Sequence, residues 1–394
     1  MKVLMINTEM NRGGAAKMAA TLVKAVDRIS DDVCARLVHC EDNIVSEYCL
    51  GIKKPLAYYA NVLQTRFLGS HRIYDFGVAK QILEMSKSAD VIHLHNLHGY
   101  YLNFVELLSG LSDKPVVWTW HDMWGATGRC GVAMDCNDWN NGCMVCGHKN
   151  YYPKVLIDNA SSEFLVKSQL YSSIENLHIV SPSAWMRNIA IERGFDPNIV
   201  TIIPNPIDIS AYMPLDKMKA KEILKLENKE VLLFVAHNCN DVNKGYDDFI
   251  KIVNETGIAG MVVGVPPSKC NSDIKYLGKL TNQKDLVTCY SAADAFVITS
   301  KLDNYPNTVI ESLACGTPVF GYSVGGISSQ LANDWDGLAE YGDYMSISKK
   351  ITQYLANNRG NSNLQTEISE YAKSKWDSSI IAKEYLNVYN KALS

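Results

Sequence analysis

Residues 299–326 read TSKLDNYPNTVIESLACGTPVFGYSVGG, and they decide the fold. They open on the end of an unbroken apolar run, AFVIT at 295–299, that suits a buried strand, and they contain a second short apolar strand, PVFGY. Between the two lie a polar loop with Asp303, a helix start near Pro306–Thr308 and a glycine stop at Gly316. Strand, loop, helix, strand is the grammar of a parallel sheet. Proline suits a first helical position and Asn or Thr a cap, and the unpaired amides there, with the helix dipole, favour an anion such as phosphate. Asp303 and Glu311 are eight residues apart, which puts one carboxylate on the loop and one inside the helix, flanking that place. Carboxylates beside a phosphate make sense when the ligand also brings hydroxyls that need acceptors; a sugar attached to a diphosphate uses both halves. Ordinary capping with a solvated acidic face is the other reading of the same residues.

The segment resembles the E-x7-E element of glycosyltransferase family 4, the retaining, nucleotide-sugar-dependent enzymes of GT-B fold. Asp303 stands where the family has Glu, so the element here is D-x7-E, while Glu311, ESLACGTPV and the glycines at 325–326 match closely. The resemblance spans almost the whole chain and implies an α/β protein of two doubly wound, Rossmann-like domains facing each other across a cleft. The expected division is an acceptor-side domain over 1–205, joined by a returning C-terminal helix over about 377–394, and a nucleotide-sugar domain over 206–376.

Composition agrees with two domains, since 394 residues exceed one ordinary core. The net charge of −4 gives no support to nucleic-acid binding, which calls for a basic face, although basic residues can still cluster locally. No stretch reaches about 18 apolar residues, and the opening MKVLMINTEM lacks the features of a secretory signal and reads as a buried strand, so the expected location is the cytosol. Eleven cysteines in such a chain imply reduced thiols, and a cysteine cluster then points to metal before disulfides.

In the first half, KVLMIN at 2–7 runs into NRGGAAK and an alanine-rich helix; Gly13 and Gly14 permit close approach to a ligand, or simply make a tight turn. The family resemblance has this loop meeting donor phosphate or acceptor. Residues 52–80 mix Lys53, Lys54, Arg66 and Arg72 with apolar residues at three- and four-residue steps, an amphipathic helix with a basic edge. Such a helix faces the core, or it contacts an anionic membrane that carries a lipid-linked acceptor. ADVIHLHNLHGYYLN, 89–103, is a strand ending in His93, His95 and His98, which could bind metal, line a ligand crevice or be structural. PVVWTWHDMW, 115–124, places His121 after the next strand, where the family resemblance implies a histidine beside the donor sugar. Cys130, Cys136, Cys143 and Cys146 follow with spacing C-x5-C-x6-C-x2-C in a polar loop, fit for a tetrahedral structural zinc, with His148 a stand-in for one thiol; free thiols and disulfides are the alternatives.

The Pro-rich segment 204–214 reads as the junction between domains. The second half restarts with EVLLFVAHNCNDVNKG, in which Lys244 at a helix start suits a diphosphate. The family resemblance calls for Gly-Arg before it; this chain has Ala236-His237, so either His237 is the substitute donor contact or another cation compensates. Gly278 to Leu280 resembles the family's base pocket, and residues 365–393 read as one long helical tail that packs back on the first domain.

Taken together, the resemblance implies a retaining transfer from a nucleotide-diphosphate sugar to a glycan or lipid-linked glycan acceptor in surface polysaccharide synthesis. Glu311 would take ribose or sugar hydroxyls and Asp303 a sugar hydroxyl. The backbone of the Tyr305, Pro306, Asn307, Thr308 turn and Lys244 would take the diphosphate, and His121 with Gly13 and Gly14 the reacting centre. No catalytic metal is expected, because amides and Lys244 can stabilise the leaving group. A nucleotide-sugar 2-epimerase and a non-catalytic nucleotide-binding protein are the rival readings.

Overall fold

A computed structural model describes residues 1–10, 13–40, 46–52 and 58–394. Of the residues singled out above, Lys53 and Lys54 lie outside the described residues. The chain divides into two compact units, Met1–Pro206 with Ser378–Ser394, and Ile207–Asp377.

The N-terminal unit runs β1 (Lys2–Ile6), α1 (Gly14–Asp27), β2 (Cys34–His39), β3 (Cys49–Gly51), α2 (Tyr58–Leu68), α3 (Val78–Ser86), β4 (Val91–Leu94), α4 (Phe104–Ser109), β5 (Pro115–Thr119), α5 (Ala160–Ser173), β6 (Asn176–Ser181), α6 (Ala184–Glu192) and β7 (Val200–Ile202). Its strands are continuous apolar runs because both faces of the sheet are covered. All pair in parallel, in the order β3-β2-β1-β4-β5-β6-β7. The direction of winding therefore reverses between β1 and β4, the place where open α/β sheets bind ligands at their strand ends.

The C-terminal unit repeats the plan with α7 (Lys217–Ile223), β8 (Val231–Asn238), α8 (Tyr246–Thr256), β9 (Ala259–Val265), β10 (Ile274–Tyr276), α9 (Gln283–Ala292), β11 (Ala295–Ile298), α10 (Asn307–Ala314), β12 (Val319–Tyr322), β13 (Leu338–Ala339), α11 (Tyr344–Asn357) and α12 (Leu364–Trp376). Its parallel order is β10-β9-β8-β11-β12-β13, with the reversal between β8 and β11. Phe249, Ile252, Ile347 and Ile351 of α8 and α11 cover one face, and Val309, Ile310, Leu313 and Trp376 of α10 and α12 belong to the core on the other.

Two expectations need correction. The tail is two helices, α12 and α13 (Ser378–Leu393), because Asp377 leaves helical geometry at φ −52° and ψ 129°. α12 stays with the C-terminal unit, and Ser369 Oγ donates to the Ala314 carbonyl at 2.8 Å. α13 completes the N-terminal core, where Ile381, Tyr385, Val388 and Tyr389 join Met18, Leu22 and Val26 of α1. The second correction concerns α2. Its buried side chains are the polar Asn61 and Thr65, while Tyr59, Leu63 and Phe67 face outward, so it is not an ordinary core-facing helix.

Candidate active site

In the C-terminal unit the loops after β8 and β11, at the reversal point, bring together Lys244 and Asp303, two of the residues expected to hold a donor. β8 leads to a short turn at Val242–Lys244, and β11 ends at Ile298, just before Thr299. Lys301 N donates to Asn243 O at 2.8 Å, and the Asn243 side chain brackets Leu302, donating to its carbonyl and accepting from its amide. These bonds hold the two loops side by side, so that Lys244 Nζ meets Asp303 Oδ2 at 2.7 Å. Desolvation works against the Lys244 charge, but the Asp303 carboxylate outweighs it and raises the lysine pKa, so the ammonium is kept.

Two glycines permit this packing. Gly245 adopts φ +68°, and a Cβ there would lie 2.0 Å from the Thr299 carbonyl oxygen; Gly325 adopts φ +56°, and a Cβ there would lie 2.0 Å from the Asp303 carbonyl oxygen. Any larger residue would drive the Lys244 and Asp303 loops apart. Thr299 adds a hydroxyl that donates to the carbonyls of Lys244 and Gly245. Asn243 and Thr299 were not among the sequence candidates, although a polar residue just past an apolar strand is the signal that marks them.

Glu311 sits deeper than a loop carboxylate. It is 4% exposed, and its two oxygens accept from the hydroxyls of Tyr212 at 2.9 Å and Tyr290 at 3.1 Å. The tyrosines fix the carboxylate on the inner turn of α10. Pro306 caps that helix, as N-cap rather than first residue, and its carbonyl accepts from the Gln330 amide. Tyr305 is also inward, its hydroxyl accepting from the Trp376 indole at 2.8 Å, whereas Asn307 and Thr308 are half-buried at the helix start. His237 is exposed near the end of β8. Gly278 adopts φ +68° just past β10, and its carbonyl accepts from the Gly264 amide; Leu280 packs on the unit's core.

In the N-terminal unit the histidines form a chain across the ends of β4 and β5. His93 is fully buried, with Nδ1 at 2.8 Å from the Tyr389 hydroxyl and Nε2 at 2.8 Å from Thr119 Oγ1. Thr119 Oγ1 is in turn 3.0 Å from the Tyr385 hydroxyl, so α13 is bonded to both strands. His95 Nδ1 lies 2.9 Å from His121 Nε2, and His98 Nε2 donates to Asp122 Oδ2 at 2.8 Å. Burial pushes the pKa of His93 down to about 3 and that of His121 to about 4, leaving both rings neutral near pH 7. Gly13, at φ +88°, caps α1, and Gly14 is its first residue.

The cysteine loop is built differently from the expected metal shell. Among the described residues, no group of three or more His, Cys, Asp or Glu side chains is arranged to hold a metal ion. All four thiols are free. The Gly128 amide donates to Cys143 Sγ at 3.3 Å, and Arg129 Nη2 to Cys146 Sγ at 3.2 Å. Arg129, 1% exposed, also bonds the carbonyls of His148, Tyr151 and Pro153, and among the described residues it has no carboxylate partner.

Two doubly wound parallel sheets, each with a winding reversal, define a protein of two Rossmann-like units, and comparison with known proteins gives its family. Residues 12–211 match the family described as Glycosyltransferase Family 4, and residues 269–375 match Glycosyl transferases group 1. The chain belongs to glycosyltransferase family 4 and is a glycosyltransferase. It is 26% identical over 338 residues to WcaC of Escherichia coli K12, a glycosyl transferase named for colanic acid biosynthesis, covering 81% of this chain and 82% of that one. Over 54% of this chain and 59% of the other it is 23% identical to the N,N'-diacetylbacillosaminyl-diphospho-undecaprenol alpha-1,3-N-acetylgalactosaminyltransferase of Campylobacter jejuni. HepE of Anabaena, solved in complex with UDP-glucose, superposes with a TM-score of 0.68 at 14% identity over 99% of both chains, a likeness of fold. That fold is GT-B.

Proposed function

We propose that this glycosyltransferase takes a nucleotide-diphosphate sugar and moves the sugar, with retention, to a glycan or lipid-linked glycan of a surface polysaccharide. The observation that carries the donor assignment is the Lys244–Asp303 pair at 2.7 Å on the strand-end side of the C-terminal sheet. A cation next to a carboxylate matches a ligand in which a diphosphate is followed by a hydroxyl-rich ring. Lys244 and the amides at the start of α10 meet the charge that builds on the leaving diphosphate, and Asp303 and Glu311 orient hydroxyls. The UDP-glucose complex of HepE and the lipid-linked acceptor in the name of the Campylobacter enzyme support this choice of donor and acceptor.

The test is thermal stabilisation by a panel of nucleoside diphosphates and nucleotide sugars. At least one should raise the Tm of the wild type, and Lys244→Ala should lose that rise while melting at its usual temperature. Undiminished stabilisation of the variant would place the diphosphate elsewhere.

Peripheral membrane contact through α2 belongs to the same reading. Leu63, Phe67 and Leu68 are each more than half exposed, Arg66 is exposed beside them, and Leu156, whose amide donates to the Arg66 carbonyl, extends the patch. An outward apolar stripe with a basic edge suits an anionic interface that holds a lipid-linked acceptor. Zinc on Cys130, Cys136, Cys143 and Cys146 is likewise proposed. Its support is the spacing together with Arg129, a buried cation whose charge a zinc-tetrathiolate group, net negative, would balance.

A further inference from the structure

We propose that a pocket of the N-terminal unit, with Thr65 and His71 as its polar contacts, receives a hydroxyl-bearing arm of the acceptor sugar. The proposal rests on the glycosyl-transfer reading and names the side chains of this chain that would hold the acceptor.

Thr65 and His71 both line one pocket with Tyr100, Trp124 and Tyr152. Thr65 lies on the inward face of α2, 1% exposed, and its Oγ1 is buried with no hydrogen-bond partner among the described residues. A helical threonine ordinarily satisfies its hydroxyl on the carbonyl one turn back, and this one does not. His71 is nine-tenths buried and coplanar with Trp124 to within 2°, and the Trp124 indole Nε1 donates to His71 Nδ1 at 3.0 Å. An indole N–H only donates, so Nδ1 must be the acceptor and the neutral ring carries its proton on Nε2. That Nε2 is buried without a partner among the described residues. Burial, and then the nearby Lys167 charge, keep the ring neutral. The pocket thus holds a donor N–H that lacks an acceptor and a hydroxyl that lacks any partner, each at a cost in desolvation. Ligand hydroxyls are the groups that satisfy both, since a hydroxyl accepts from His71 Nε2–H and can either donate to or accept from Thr65 Oγ1.

The surrounding walls suit the rest of a sugar. Tyr100, half-buried, and Tyr152, exposed, present ring surface of the kind that packs on the C–H face of a pyranose, while Trp124 is buried, with Lys167 Nζ 3.4 Å from its ring centroid. Tyr100 is held at φ +67°, a conformation a side chain of its size avoids, and Asn61 Nδ2 donates to its carbonyl at 3.1 Å. The pocket also adjoins the expected reacting centre within the same unit. His98 lines it and donates to Asp122, the neighbour in sequence of His121.

The test uses the full chain and methyl α-glycosides of glucose, galactose, mannose and N-acetylglucosamine as probes, read by saturation-transfer NMR. Thr65→Val keeps the shape and removes the hydroxyl, and Thr65→Ser restores it; unchanged melting temperatures show that both fold. The expected result is saturation transfer to at least one glycoside in the wild type, a loss of roughly fivefold or more in affinity in Thr65→Val, and recovery in Thr65→Ser. No signal from any glycoside, or equal affinity in wild type and Thr65→Val, overturns the proposal and leaves the pocket to a trapped water. Nucleoside diphosphate stabilisation, measured on the same samples, separates the two readings: if it persists while the glycosides fail, only the pocket assignment falls, and if it is absent the donor assignment falls.

Discussion

Lys244 and Asp303 pair at the rim of the C-terminal sheet, with side chains 33% and 18% exposed. A partly solvated ion pair contributes only about 0–1 kcal/mol, so its presence there explains little of the fold and more of what the loops are shaped to meet. His93 is the opposite case. It is fully buried among His95, Tyr385 and Tyr389, and its pKa of about 3 lies far below the usual 6.5. The folded ring stays neutral while the unfolded ring takes a proton below pH 6.5, so the stability tied to this group is complete above pH 6.5 and is lost as the pH falls toward 3. By pH 5 the loss from His93 should be about 2 kcal/mol. Urea midpoints followed by tryptophan fluorescence should fall between pH 7.5 and 5, and less steeply in His93→Gln; parallel slopes would mean that His93 is not the titrating group. The spacing His93-x-His95 placed both rings on one side of the strand, and in the structure their centroids are 4.2 Å apart. What the spacing left open was their use. Tyr389, 296 residues away, decides it by taking up His93 Nδ1.

At the scale of the element, α2 shows where periodicity stops informing. Three- and four-residue steps announce an amphipathic helix but do not say which stripe turns inward. Here Asn61 turns inward because its amide can bond the carbonyls of both Tyr74 and Tyr100, and the apolar stripe is left outside. Phe67→Asp should therefore leave the melting temperature nearly unchanged and lower co-sedimentation with phosphatidylglycerol vesicles; equal sedimentation of variant and wild type, or of the wild type with and without anionic lipid, would remove the membrane reading. The helices and strands that carry the donor site were easier to read, because buried parallel strands are unbroken apolar runs and Gly316, at φ +76°, marks the stop of α10. The cysteine loop was legible as four thiols within the span 130–146, yet their arrangement around Arg129 was not, since a buried arginine bonded to carbonyls leaves no periodic trace. Purified protein should contain about one zinc per chain by elemental analysis. A metal-free protein with full activity would leave the Arg129 charge to be balanced by other means.

For the molecule as a whole, the last residues matter more than their position suggests. The run 365–393 reads as a helical tail with no Pro or Gly to interrupt it, while the expected domain division set a returning helix apart from about 377; Asp377 followed by two serines is the cap-like signal at that break. The break assigns α12 to one unit and α13 to the other. Ile381, Ala382, Tyr385, Val388, Tyr389 and Ala392 are each 3% exposed or less in the N-terminal core. At about 1.5–3 kcal/mol for each large apolar side chain, α13 contributes on the order of 10 kcal/mol, comparable with the whole stability of a typical domain. The C-terminal unit has its own two-faced core, and among the described residues its core clusters contain no residue of α13. A chain ending at Asp377 should then lose the cooperative melting of the N-terminal unit and bind a hydrophobic dye, yet still show nucleoside diphosphate stabilisation of its remaining transition. Calorimetry with and without nucleotide reads both effects in one experiment. An intact N-terminal transition would show α13 to be an accessory strap, and a truncated chain that no longer responds to nucleotide would show that the donor site depends on the N-terminal unit as well.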